Sequence, residues 1–283
     1  MLYLLVIENF TLGSKIMVGI FLAVLMGIIL YYTFKMVEMG YVLKQRRPLY
    51  NHFYFRLKRL NQNQKDVLQH QFSFYKKLNA IEKKHFNHRV ASFISDKHFI
   101  GRDGLIINDD IKILISATAV MLTFGFRDFY IGIISKIVVY PKAFYSNTNQ
   151  AYHKGEFNPR LETLVLSWED FLKGFSNSTD NVNLGIHEFT HAIHINSMKE
   201  HDVSSTIFSD SFKELSDMLA ESEPLRNRLM ASNYFRKYAF TNQFEFLAVV
   251  IENFIETPQT FKTEFPNVYS KVKQMLNFNI AGY

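Results

Sequence analysis

Apolar residues follow three patterns along this chain. Between residues 16 and 34 they are continuous: IMVGIFLAVLMGIILYYTF carries no charge and is flanked by Lys15 and Lys35. At about 1.5 Å per residue this run matches a hydrocarbon core about 30 Å thick, which predicts one transmembrane helix. A cleaved signal peptide fits less well, because the run is long and no Ala-x-Ala site follows it. Between residues 69 and 94 the pattern becomes helical. Phe72, Tyr75, Leu78, Ile81, Phe86, Val90 and Phe93 recur at helical spacing, which makes His85 and His88 surface or packing residues rather than ligands. IKILISATAVMLTFGF, residues 111–126, is almost wholly apolar behind a possible Asp109–Asp110 cap. It predicts a buried helix, since it is too short for a second span and Lys112 interrupts its start. The third pattern is the short β-branched run, KIVVYP at 136–141 and TLVLSW at 163–168. These predict strands of a small mixed sheet with an edge either covered by a loop or free to take an extended peptide.

These elements divide the chain into residues 1–35 with the span at 16–34, a basic juxtamembrane linker at 36–62, and a domain at 63–283. Pro48 separates two possible helical pieces of the linker, and PLYNHFYFRLKRL can lie against anionic headgroups or pack on the domain as a linker helix. Lys35, Lys44, Arg46, Arg47, Lys58 and Arg59 follow the span, whereas Lys15 precedes it. The positive-inside rule therefore predicts a single-pass protein of the inner (cytoplasmic) membrane with its C-terminal domain in the cytoplasm.

Composition narrows the function. A chain of 283 residues, 48% hydrophobic with 28 Phe and 15 Tyr, has ample material for a core. Its net charge of +6 permits an anionic surface as partner, but no arginine-rich recognition pattern or finger-type cysteine spacing points to nucleic acid. Cysteine is absent, which excludes disulfides and thiolate metal sites.

The candidate chemistry lies in NLGIHEFTHAIHINSM, which follows the turn and cap residues STDNVN. His187 and His191 are four residues apart, so on a helix both rings project from one face and can reach one zinc ion, Zn2+. Glu188 stands beside them as a general base toward a zinc-activated water, the logic of the His-Glu-x-x-His metallopeptidase motif. A third ligand is required. His194 lies a turn too far along a straight helix and fits better behind a ligand imidazole, hydrogen-bonded to it. His201 does not match the spacing of an extended three-histidine motif. Downstream, YAFTNQFEFLAVVIENFIETP predicts a helix capped by Thr241 or Asn242, with Glu245 in its first turn among apolar residues. A carboxylate in such company is costly unless paired or metal-bound, which makes Glu245 the better third ligand. Glu252, Glu256, Glu214 and Asp217 are rivals whose simpler reading is as solvated helix-face acids. Tyr238, seven residues before Glu245, can point its hydroxyl at a developing oxyanion or be an ordinary tyrosine.

Several ordered blocks, KHF, IVVYP, VLSWED, NVNLGIHEFTHAIH, YAFTNQFEFLAVVIENFIETP and FPNVYSKVKQMLNF, resemble the zinc peptidases typified by Mlc titration factor A from about residue 64 to 277. The resemblance implies an α+β fold: a mainly helical zincin-like metallopeptidase domain with a small mixed sheet. It further implies His187, His191 and Glu245 as zinc ligands, Glu188 as base, and Tyr238 as a transition-state or substrate-orienting residue. Members of that family are aminopeptidase-like or general peptidases, with the repressor Mlc as a partner in enteric bacteria. Two departures limit the transfer. His194 stands where the family usually has Asp, and its familiar members lack a membrane anchor, so the partner is not carried over. The implied activity is zinc-dependent hydrolysis of a peptide or protein substrate. The alternative is a membrane-anchored regulatory protein that sequesters a partner without cutting it, although a structural zinc site would have no use for Glu188.

Overall fold

A computed structural model describes residues 11–146, 150–176 and 179–283. It divides into two compact units, Met1–Leu49 and Tyr50–Tyr283. The first ten residues of the predicted N-terminal segment lie outside the described residues.

The first unit is one helix, α1 (Leu12–Gln45), capped by the Thr11 side chain, which accepts from the Ser14 N–H, and closed by Arg46 in the left-handed region. Its 34 residues extend about 51 Å, well beyond the predicted span at 16–34. Among the described residues it is the one helix long and apolar enough to cross a membrane.

The second unit is mainly helical with a small mixed sheet. Its helices are α2 (Gln62–Gln71), α3 (Ser73–Lys77), α4 (Ala80–Asp96), α5 (Asp109–Leu122), α6 (Trp168–Ser176), α7 (Leu184–Lys199), α8 (Val203–Glu221), α9 (Glu223–Ala231), α10 (Gln243–Glu256), α11 (Pro258–Glu264) and α12 (Pro266–Met275), with a 3-10 turn at Lys237–Phe240. The helical pattern of residues 69–94 is thus three pieces rather than one, because Asn79 forms a capping box with Glu82 and starts α4 afresh. Asn108, rather than Asp109 or Asp110, caps α5 through the Ile111 N–H. As its composition predicts, α5 is buried almost all round, packed between α4 and α7.

Strands β1 (His98–Gly101), β2 (Lys136–Tyr140), β5 (Gly155–Asn158) and β6 (Thr163–Ser167) form a sheet ordered β1-β2-β6-β5. The first three in that order are parallel, and β5 is an antiparallel edge. A separate hairpin pairs β3 (Phe144–Ser146) with β4 (Ala151–His153). Trp168 starts α6 instead of ending β6.

The predicted linker at 36–62 is divided as well. Residues up to 45 belong to α1, and from Tyr50 the chain packs on the domain without regular structure. The fully buried Arg89 fixes that segment, donating to the Asn51 carbonyl at 2.9 Å and to the Tyr54 hydroxyl at 2.6 Å. Its remaining N–H groups reach the carbonyls of Thr123, Phe124 and Phe126, so all five donors are satisfied without a carboxylate.

Candidate metal centre

Helix α7 runs through the middle of the domain, against α5, α6, α8, α10 and strand β5. Its start is set by Asn183, whose side chain accepts from the Ile186 N–H, and Gly185 lets it approach α6 closely. A Cβ at Gly185 would come within 2.5 Å of the Phe171 ring. His187 and His191 project from one face of this helix, their ring centroids 4.7 Å apart. Helix α10 crosses that face and is capped by Asn242, which accepts from the Phe244 and Glu245 N–H groups. Glu245 therefore falls in the first turn, opposite the two rings.

His187, His191 and Glu245 converge. His187 Nε2 lies 3.1 Å from His191 Nε2 and 3.0 Å from Glu245 Oε2, and His191 Nε2 lies 3.7 Å from Glu245 Oε1. Ligand atoms about 2.05 Å from a tetrahedral ion would be about 3.3 Å apart, within the range of these separations. Glu245 Oε2 is also buried without a hydrogen-bond partner despite its proximity to His187, so its lone pairs face the point where the imidazole nitrogens meet. The donor set of two imidazoles and a carboxylate suits a borderline divalent cation.

The electrostatics are those of a site arranged for a cation. Burial works against a charged His187 ring, but the carboxylates of Glu245 and Glu252 carry its pKa up to about 9. Burial would raise Glu245, but His187 and His191 hold its carboxyl well below the usual carboxylate range. Glu188 is buried beside the cluster, and desolvation pushes its carboxyl upward against the opposing pull of the two histidines. Tyr238, half exposed in the 3-10 turn, stands with its ring centroid 6.1 Å from that of His187. Partial burial and the Glu245 charge raise its phenol pKa.

Two expectations need correction. His194 makes no hydrogen bond behind a ligand imidazole. Its ring lies edge-on to Phe212 and Phe244, with centroids 4.7 and 5.1 Å away, and its Nδ1 has no partner. Burial, and then the nearby His191, lower its pKa to about 4. The atom behind His187 belongs to Glu252, which is fully buried rather than solvated: its Oε1 accepts from His187 Nδ1 at 2.7 Å. That carboxylate also accepts from Arg236 at 2.5 Å and from the Asn183 backbone N–H at 2.9 Å. With one proton held on Nδ1, Nε2 is the nitrogen that turns toward Glu245 and His191 and would bind a metal once the ring gives up its second proton. Glu256 is likewise engaged, accepting from the Asn183 side chain at 3.1 Å, and burial raises its carboxyl to about 7. The solvated reading holds for the other rivals: Glu214 pairs with Lys271 at 2.6 Å near the surface, and Asp217 is exposed.

Sequence reasoning missed Glu252, Arg236 and Asn183. A signal for Glu252 existed, because Glu245, Glu252 and Glu256 are spaced i, i+7 and i+11, one face of a helix. Gly155 was also missed. It starts β5 over Glu188 so closely that a Cβ would come within 2.6 Å of Glu188 Oε1. Beside the cluster opens a cleft of about 560 Å³ lined by Tyr152, Gly155, His187, Glu188, Arg236 and Tyr238 among others.

Comparison with known proteins agrees with this geometry. An uncharacterized protein of Synechocystis sp., slr2042, is 23% identical over 230 residues, which cover 74% of this chain and 81% of that protein. The model of the glucose-regulated metallopeptidases M90 matches residues 44–277, and the chain belongs to that metallopeptidase family.

Proposed function

We propose that this protein is a zinc-dependent peptidase in which His187, His191 and Glu245 hold the metal and Glu188 is the general base. The observation that carries the reading is the convergence of two imidazole nitrogens and an orphaned carboxylate oxygen at tetrahedral-edge spacing. When bound, zinc would polarise the scissile carbonyl and acidify a water.

Glu188 takes a proton from the attacking water on a carboxylate oxygen as the water oxygen bonds to the scissile carbonyl carbon, and returns it to the amine nitrogen as the C–N bond breaks. Desolvation, which pushes its carboxyl upward against the pull of the two histidines, makes it a better proton acceptor. Glu252 orients the His187 ring through Nδ1, and Arg236 and the Asn183 N–H hold the Glu252 carboxylate in place. Tyr238 offers its hydroxyl to the oxyanion as charge develops. The β5 edge, which starts over Glu188, offers backbone groups to an extended peptide. Glu188 also separates this reading from a non-cutting binding protein, which would have no use for a buried base beside its metal.

The α1 helix anchors the protein as a single span of the inner membrane, with the domain on the cytoplasmic side in keeping with the basic residues that follow the span. The test uses the full-length chain in lipid nanodiscs. It should bind about one zinc ion per chain, hydrolyse peptides, and lose hydrolysis in Glu188→Gln while keeping the metal. Hydrolysis unchanged by that substitution would overturn the mechanism.

A further inference from the structure

The peptidase reading leaves one surface of the domain unexplained. In the irregular segment after Tyr50, alternate side chains face opposite ways. His52 and Tyr54 turn inward: His52 stacks on His85 with centroids 4.6 Å apart, and Tyr54 accepts from the buried Arg89. Phe53, Phe55 and Leu57 point outward and are 68%, 97% and 39% exposed. The Arg89 clasp on Asn51 and Tyr54 holds the inward side of this segment in place. Interleaved with them, Arg56, Lys58 and Arg59 are exposed, and no carboxylate among the described residues pairs with them. Large apolar side chains held outward among cations are costly in water and characteristic of a binding surface.

We propose that residues 53–59 form a lipid-contacting face, with Phe53, Phe55 and Leu57 entering the headgroup–acyl boundary of an anionic leaflet and Arg56, Lys58 and Arg59 meeting lipid phosphates. A bilayer is the occupant that chain connectivity and charge favour. Phe53 follows the end of the apolar α1 helix at Gln45 by only eight residues (53 − 45), which limits its distance from that end to about 28 Å. Aromatic rings mixed with cations next to a span match the chemistry of an anionic membrane interface. This inference rests on α1 crossing the membrane.

The chain has no cysteine, so single nitroxide labels can be placed in the full-length protein. Phe55→Cys, Val24→Cys within α1 and Ile106→Cys, an 84% exposed site elsewhere on the domain, are compared in phosphatidylcholine–phosphatidylglycerol nanodiscs. Paramagnetic accessibility should favour oxygen over a water-soluble nickel chelate at positions 24 and 55, with the reverse at 106. Replacing Arg56, Lys58 and Arg59 together by Gln should shift the docked-to-undocked equilibrium at position 55 about a hundredfold toward undocked, and pure phosphatidylcholine should shift it the same way. If position 55 behaves like 106 while 24 favours oxygen, the lipid face is wrong and the span stands. If 24 also favours the chelate, the span itself fails and the inference with it. A label at 55 immobilised and shielded from both reagents would identify a protein contact, and insensitivity to charge would remove the anionic-lipid assignment; either result overturns the proposal.

Discussion

Gly155 and Glu188 are packed backbone against carboxylate: a methyl group at 155 would stand 2.6 Å from both Cγ and Oε1 of Glu188. The edge strand thus sets where the proposed base can sit. Gly155→Ala should displace Glu188 and lower kcat by about a hundredfold, the scale of a misplacement near 1 Å. Metal content should stay unchanged, since the atoms that a methyl group there would meet first belong to Glu188 and Leu184. Steady-state kinetics and elemental analysis of the same preparation check both halves.

Glu252→Gln tests the support behind His187. An amide keeps the shape but loses the charge that meets both His187 Nδ1 and Arg236. Zinc affinity should fall about 10–100-fold, read by competition with a chromogenic chelator. Unchanged affinity would show that Glu252 does not orient the ligand.

His194→Asp separates a ligand from a packing residue. An Asp would here enter a slot between Phe212 and Phe244 with no partner waiting for it. The variant should retain zinc stoichiometry yet melt several degrees lower, at about 2–4 °C per kcal/mol for a domain of this size. Differential scanning calorimetry with metal analysis gives the answer, and loss of metal would make His194 a ligand.

Protons and metal should compete at His187. In the metal-free protein its pKa is raised from the ordinary 6.5 to about 9, so its contribution to apo stability is complete below about pH 6.5 and disappears as pH rises through 9. Zinc requires the Nε2 lone pair, so binding between those values releases a proton and apparent affinity climbs with pH, by up to about tenfold per unit. Calorimetric titrations in buffers of different ionisation enthalpy count the released protons.

The opposite sign holds near Arg89. Burial first, then the charges of Arg89 and His85, lower the His52 pKa to about 3; burial and then Arg89 also lower His85 and His88, with Lys58 and His85 adding to the effect on His88. Their contribution to stability is full above the unfolded value near 6.5 and is lost as pH falls below it, for His52 down to about 3, because the unfolded chain takes up protons that the folded one resists. Melting temperature should therefore decline from pH 7 to pH 4, and His52→Phe, which removes one such group, should flatten that decline.

Much of this was legible in the sequence, for identifiable reasons. The apolar run of α1, the buried α5, strands β2 and β6 and the spacing of His187 and His191 are local patterns, and local patterns survive folding. Strands β1, β3, β4 and β5, only three or four residues each, depend on neighbours for their existence and left no periodicity to read. Residues 50–60 escaped for a related reason, since their anchor is Arg89, whose role becomes visible only when the carbonyls around it are in place. Glu252 was passed over because acids on a helix are usually solvated. What made it different was the approach of Arg236 and Asn183 from other parts of the chain.

Helix α10 carries both Glu245, which faces the proposed metal, and Glu252, which grips His187 from behind. The two lie seven residues apart, about two turns, so they share one orientation. A single rotation of this rod would withdraw the proposed ligand Glu245 and free the opposing imidazole in the same movement. A disturbance of α10 would therefore reach the proposed ligand and the support behind His187 together. The packing of that one helix would then set both the proposed metal contact and the orientation of the imidazole facing it.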